Sequence, residues 1–348
     1  MKNKALCISL TIIGISVFAF SFVIKDDQNK PKEIIPEVNY ELSGGAGRYD
    51  YAPSVIQDEY GIRYAFLCEN KDPFKIVDYV YLYKGIPTKN GYKWQPGTMI
   101  IEPSAVPWDN NHICDPDVRK FKTVYNGETY DWIMTYLGTD QWDNMHNQIG
   151  LAISKNIEGP YIKFDKNPFV KSQDRTKWGV GQSTTVVLND SIIRLFYSNS
   201  NGGFTYQDIQ LNDLNNIKYG EEKKIPGMGG NNYPAYSKKN VYMVSERRVD
   251  MDKQIPTWVG NVSALTYIPL DQDLSTPADK WIKIGAVTPK ESGFPRNHNP
   301  GILTDPKGYM LNDDELIMYF TTAVTGSNWL WSYDLYSARF DLKKFFKN

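Results

Sequence analysis

Four short stretches of this chain open on residues that can exchange protons or hold a polar ligand: Asp50 in DYAPSV, Asp115 and Asp117 in DPDV, Gln182 in GQSTTVV, and His298 and Asn299 in RNHNPG. Two carboxyl groups brought together can move a proton to and from a reacting bond, one acting as acid and the other as base. Asp50 and Asp115 lead the candidates for that role. A further carboxyl, Glu246, follows the run YMVS and is flanked by Arg247 and Arg248. Neighbouring arginines lower a carboxyl pKa, which suits a base better than an acid. Gln182 and Asn299 cannot exchange a proton near neutral pH and offer only hydrogen bonds. Arg296 brings a planar fork for acidic or hydroxyl-rich ligands. Trp178 brings a flat face on which a ring can stack.

Other chemistries lack their motifs. Gly179 and Gly181 form a lone G-x-G with no helical pattern after it, which is not a dinucleotide fingerprint. There is neither a phosphate-binding loop nor a Gly-x-Ser-x-Gly elbow. The formal net charge is −1, and no basic run follows the first residues, which argues against a nucleic-acid partner. Cys7, Cys68 and Cys114 fit no zinc spacing. Cys68 and Cys114 could pair in an oxidising compartment, or remain buried thiols. No organic cofactor is implied, and a central Ca²⁺ near His298 stays open.

The elements that must position these residues repeat. Each unit is a short β-rich run, a polar turn, and a second run rich in Tyr and Phe. The units begin at Asp50, Asp115, Gly181, Asn232 and Asn299, roughly 50 to 70 residues apart. That is the period of propeller blades, each one small antiparallel sheet. The turns are marked by Asp58 to Gly61, Asn126–Gly127, Asn189–Asp190, Lys238 to Asn240 and Lys307–Gly308. No stretch beyond the N-terminus shows sustained helical periodicity. A β-sandwich is the alternative, but it has no such long repeat. The expected fold is therefore all-β: a five-bladed β-propeller preceded by an N-terminal hydrophobic signal or anchor helix. Aligning the prolines puts Ala52, Asp115, Gln182, Tyr233 and Asn299 in equivalent slots at the starts of the inner strands. Period-two alternation along a regular strand would add Asp50 and Asp117 to the same inward side.

Lys2 and Lys4 precede an uncharged, mostly apolar stretch from Ala5 to Ile24. This reads as a signal peptide or membrane anchor over residues 1–25, followed by a polar linker over 26–40 and the propeller over 41–345. The positive-inside tendency places the propeller outside the cytoplasm, secreted or tethered, with the membrane touched only through the N-terminal segment.

The openings YAPSV and CDPDV, the run ISKNIEGPYIKF from Ile153 to Phe164, and the later openings GVGQSTTVV and NHNPGILTDPKG together resemble the five-bladed propeller glycosidases, the clan of glycoside hydrolase family 43 and its relatives. The resemblance covers roughly residues 45 to 340. It implies a carbohydrate substrate and inverting hydrolysis of a glycosidic bond, with a base, a pKa-modulating aspartate and a glutamic acid. Acid and base then stand about 6.5–9.5 Å apart to admit a water. Asp115 matches the modulating aspartate. If CDPDV is the third opening of that family, the acid slot falls on Gln182 and the base slot on Asn299, and the site is degenerate. A second register keeps catalysis, with Asp50 as base, Asp115 or Asp117 as modulator and Glu246 as acid. The resemblance thus leaves two functions: a glycoside hydrolase, or a non-catalytic carbohydrate-binding propeller derived from one. In either, Asp117, Gln182, Trp178, Arg296, His298 and Asn299 are the expected ligand contacts.

Overall fold

A computed structural model describes residues 32–43, 49–72, 75–143, 145–201, 203–249, 260–323 and 334–347. The expected signal or anchor helix lies outside these residues. Among the described residues no helix is long and apolar enough to cross a membrane.

Five separate antiparallel sheets follow one another along the chain. Blade 1 runs from an inner strand Tyr51–Gln57 through Arg63–Asp72 and Lys75–Thr88. Blade 2 runs from His112–Tyr125 through Glu128–Thr139 and Gln148–Ser154. Blade 3 contains Val180–Val187, Ile192–Asn199 and Gly203–Gln210. Blade 4 contains Asn232–Tyr236, Asn240–Arg247, Val262–Pro269 and Ile282–Val287. Blade 5 contains Arg296–Ile302, Glu315–Ala323 and Asp334–Asp341. Its fourth strand comes from the other end of the chain, Glu37–Ser43, which pairs antiparallel with Asp334–Asp341. The propeller therefore begins inside the stretch that composition marks as linker. Val38, Tyr40 and Leu42 alternate with polar residues there, which is the strand signal.

Each of the five turns forms where its residues demand. Asn126 and Gly127 both have positive φ, the requirement of a two-residue hairpin loop. Asp58 Oδ1 accepts the backbone N–H groups of Tyr60 and Ile62, and Asn189 Oδ1 those of Ser191 and Ile192. Ser237 Oγ does the same for Lys239 and Asn240, and Asp305 Oδ1 for Lys307 and Tyr309. Short side-chain acceptors of this kind stabilise a turn over continued strand.

Apolar clusters fill all five gaps between neighbouring blades. The pleat explains why. Along Glu315–Ala323, Leu316, Met318 and Phe320 pack toward blade 4, while Ile317 and Tyr319 pack toward blade 1. Along Ile192–Asn199, Ile193, Leu195 and Tyr197 pack toward blade 2, and Phe196 toward blade 4. Strands buried on both faces read as continuous apolar runs. Most of the aromatic content serves these gaps: Phe66, Tyr136, Phe204 and Tyr319 are among the largest fully buried side chains.

One end of the central axis is closed by the long turn of blade 5. Its backbone reaches the inner strands of the other four blades: Gln57 N donates to Thr304 O, Lys120 N to Pro306 O, Val187 N to Lys307 O, and Tyr236 N to Gly308 O. Gly308 sits at φ +92°, and a Cβ there would lie 2.9 Å from Thr185 O and 3.2 Å from Val186 Cα. Gly308→Ala should therefore cost about 1–3 kcal/mol, since a strained φ for a residue with a Cβ is of that order before the clash is counted. A urea unfolding midpoint unchanged from wild type would show that the turn does not hold the blades.

Candidate active site

The equivalent slots at the inner-strand starts share an uncommon backbone. Ala52, Asp115, Gln182 and Asn299 have φ of +54°, +46°, +53° and +44°. At each, the pairing register slips: between Tyr51 and Ser54, Cys114 and Asp117, Gly181 and Thr184, and His298 and Gly301. A bulge of this kind re-aims a side chain, and non-glycine residues in this region gather at functional sites. The fifth slot, Tyr233, is regular and pairs with Val244. The bulges also break the period-two alternation, so residues two positions from a slot need not share its direction.

At the strand-start end of the axis lies a cleft of about 800 Å³. Asp115, Gln182, His298 and Asn299 line it from the openings, Asp78 and His112 from blades 1 and 2, Trp178 from the segment before blade 3, and Glu246 from blade 4. Trp142, 62% exposed, stands edge-on to the His112 ring at 5.8 Å.

The electrostatics divide these groups. Asp115 is pushed up to about 7: burial disfavours its charge, and the negative charges of Asp78 and Glu246 add to that. A hydrogen bond from the Gln182 backbone opposes the rise without reversing it. Glu246 goes the other way. Burial alone would raise it, yet its pKa is lowered, because the His298 ring and the backbone N–H groups of Asn299 and Gly260 hold the anion. Its Oε2 lies 2.6 Å from His298 Nδ1, 3.1 Å from Asn299 N and 2.8 Å from Asn231 Nδ2, and Gly260 N donates to Oε1. A carboxylate accepts only, so His298 Nδ1 is the donor, and this bond fixes the orientation of the imidazole. The Tyr51 ring stacks on His298 at 5.7 Å. Nearby, His112 Nδ1 accepts from the Asp78 backbone at 3.3 Å, and the Tyr49 hydroxyl donates to Asp78.

The expected site residues thus divide by position. Asp115, Gln182, Trp178, His298, Asn299 and Glu246 meet at the cleft. Asp50 is fully buried outside the cleft lining, with the Tyr83 hydroxyl hydrogen-bonded to it. Arg296 is fully buried, also away from the lining. Asp117 turns into the axis and staples blades together: it accepts from Thr185 N at 2.7 Å, Ser54 Oγ at 3.2 Å and Tyr233 Oη at 3.1 Å, and pairs with Arg119 at 2.8 Å. Sequence reasoning did not select Asp78, because it lies mid-strand in blade 1, far from any opening. Arg247 was noticed only for its effect on Glu246.

Cys68 and Cys114 form a disulfide between blades 1 and 2, with Cα atoms 5.2 Å apart, and Asp115 N approaches Cys68 Sγ at 3.0 Å. Among the described residues the one converging group of three metal-type side chains is Cys68, Cys114 and Asp115, and its sulfurs are already bonded to each other. Hard donors gather instead around a small axial cavity of about 40 Å³, lined by Asn231, Asn232 and Asn299. Their carboxamide oxygens are buried and have no hydrogen-bond partner in the structure. Oxygens of this type suit a water, a substrate hydroxyl or a hard cation such as Ca²⁺. Removing the disulfide with Cys68→Ser and Cys114→Ser, which opens a 46-residue loop, should lower unfolding free energy by about 2–4 kcal/mol. Thermal melts of the double variant against wild type under oxidising conditions check this.

No protein-family model matches the sequence, and no curated protein is similar to it. Solved structures are similar. The alpha-L-arabinofuranosidase of Podospora anserina, solved with cellotriose, superposes with a TM-score of 0.58 at 10% identity, covering 89% of this chain and 98% of that one. A family 117 glycoside hydrolase of Zobellia galactanivorans gives 0.54 at 12% identity, over 88% and 90%. The fold is that of the five-bladed propeller glycoside hydrolases. A family 43 enzyme of Xanthomonas citri, complexed with xylose, gives 0.53 at 13% identity, over 86% and 90%. At these identities the likeness to the propeller glycoside hydrolases is one of fold, and the residues of the cleft must carry any statement about chemistry.

Proposed function

We propose that the protein is an extracytoplasmic glycoside hydrolase whose acid is Asp115. The observation that carries this reading is the opposed tuning of the two carboxyl groups in one cleft: Asp115 pushed up to about 7 by burial beside Asp78 and Glu246, and Glu246 held as an anion. Environments that drive two carboxyls apart separate acid from base roles. Asp115 keeps its proton at mildly acidic pH and can hand it to a departing sugar oxygen. Glu246, already held by four donors and with its pKa lowered, is a poor proton acceptor for substrate. It orients His298, and the imidazole, which lines the cleft beside Asp115, takes a proton from the attacking water. The solved structures of this fold, with cellotriose and xylose bound, support a sugar in the cleft. The disulfide supports an oxidising compartment, and the basic-flanked apolar N-terminus supports export.

A hard cation held by the Asn231, Asn232 and Asn299 oxygens would supply positive charge at the base of the cleft.

A second reading has its own observation. The blade openings hold Ala52, Gln182, Tyr233 and Asn299, so one opening slot in five carries a titratable carboxyl, and a propeller that binds glycans without cleaving them would look like this. Hydrolysis of a panel of aryl-glycosides and oligosaccharides by wild type, Asp115→Asn and His298→Gln separates the two. Turnover abolished in both variants supports the enzyme. Saturable binding with no turnover in wild type supports the binding module.

A further inference from the structure

Asp78, Asp115 and Asp143 line the cleft from blades 1 and 2, and blade 4, across the ring, brings Arg247 and Arg248 beside Glu246, whose charge is already held by His298 and backbone N–H groups. Arg247 is the informative one. It is partly buried, and among the described residues its guanidinium meets only Met228 Sδ, at 3.8 Å from Nη2. By contrast Arg119, Arg175, Arg194 and Arg339 each pair with a carboxylate. Burial pulls the Arg247 pKa down, and no charge among the described residues opposes it. A desolvated cation without a counter-ion is a cost to the folded protein that an incoming anion would relieve.

There is also room for such a group. Gly203, Gly227, Gly229 and Gly230 form part of the cleft wall here and add no side chains to it. At Gly229 an added Cβ would meet nothing within 4 Å.

We propose that the cleft selects glycans bearing an oxyanion, a uronic carboxylate or a sulfate ester, and that Arg247 binds it. The shared chemistry is a planar or tetrahedral oxyanion that two N–H groups of one guanidinium can grip together. This rests on the carbohydrate reading above and narrows it: neutral sugars would leave Arg247 without a partner.

The test is calorimetric binding to the full chain carrying Asp115→Asn, so that bound sugar is not turned over. The probes are glucuronate- and galacturonate-bearing oligosaccharides paired with their carbodiimide-reduced neutral forms, and sulfated galactan oligosaccharides paired with their desulfated forms. One of the two pairs should show the charged member binding about tenfold to a hundredfold more tightly, the range expected for hydrogen bonds to a charged group, and that pair identifies the anion. Adding Arg247→Gln should bring the ratio near one, and Arg247→Lys should retain part of it. Equal affinity for charged and neutral members overturns the proposal, as does a charge preference that survives Arg247→Gln. Failure of every oligosaccharide to bind overturns the carbohydrate reading itself, and this inference with it.

Discussion

Asp115→Asn lowers turnover by about 10²- to 10⁴-fold while leaving the protein folded, the contribution typical of a positioned acid. Asparagine keeps the shape and can still accept from the Gln182 backbone, but it has no proton to give. The pH behaviour sharpens the test. Activity that depends on protonated Asp115 declines as pH rises through about 7. Stability moves in the same direction for a different reason. The folded-state pKa of Asp115 lies above its ordinary carboxylate value, so between the two the native state binds more protons than the unfolded chain. Raising pH across that window withdraws stability, and above about 7 the native state carries the full cost of a buried anion. The asparagine variant carries none of it. At pH 8 it should therefore melt at or above the wild-type temperature while being nearly inactive. A variant that retains turnover removes Asp115 from the mechanism. A variant that unfolds shows a structural role instead.

Arg119→Met destabilises the propeller by about 3–5 kcal/mol, the scale on which loss of one partner strands a buried charge. Arg119 is fully buried and holds the axis from several sides: Nε donates to Thr185 O at 2.5 Å, Nη1 to Val118 O at 2.8 Å and Nη2 to Tyr233 Oη at 2.7 Å, beside its pair with Asp117. Burial already raises the Asp117 pKa, with Arg119 the main opposing influence. Without Arg119 the aspartate titrates at still higher pH. The loss should therefore be larger at pH 8 than at pH 5, where Asp117 can take up a proton, and urea midpoints at the two pH values read this directly. Asp117→Asn added to Arg119→Met should recover part of the loss. Equal losses at both pH values would mean that packing of the arginine, rather than its charge, holds the blades.

The propeller itself was legible from local chemistry. Asn126–Gly127, Asp58, Asn189, Ser237 and Asp305 each stabilise a turn through their own backbone or nearest neighbours, and apolar runs between turns must be strands buried on two faces. Five such units imply five blades. The start of the last blade's closing strand was also present, in the alternation of Val38, Tyr40 and Leu42, but a polar composition over residues 26–40 obscured it. Aligning the prolines brought Asp115, Gln182 and Asn299 to one end of the axis, because equivalent positions in repeated units share one environment.

The chain alone determined the repeat, the turns and the slots; tertiary structure decided which side chains face the cleft and in what protonation state. Period-two alternation carries direction only along a regular strand, and the bulges at Ala52, Asp115, Gln182 and Asn299 reset it. Asp50 was thereby left beside Tyr83 and Asp117 against Arg119, away from the cleft. The pairing of Glu246 with His298, 52 residues apart, joins blades 4 and 5 through space. The rise of Asp115 to about 7 comes first from its burial, then from charges on blades 1 and 4. Desolvation and through-space charge depend on three-dimensional distance, which linear spacing does not encode.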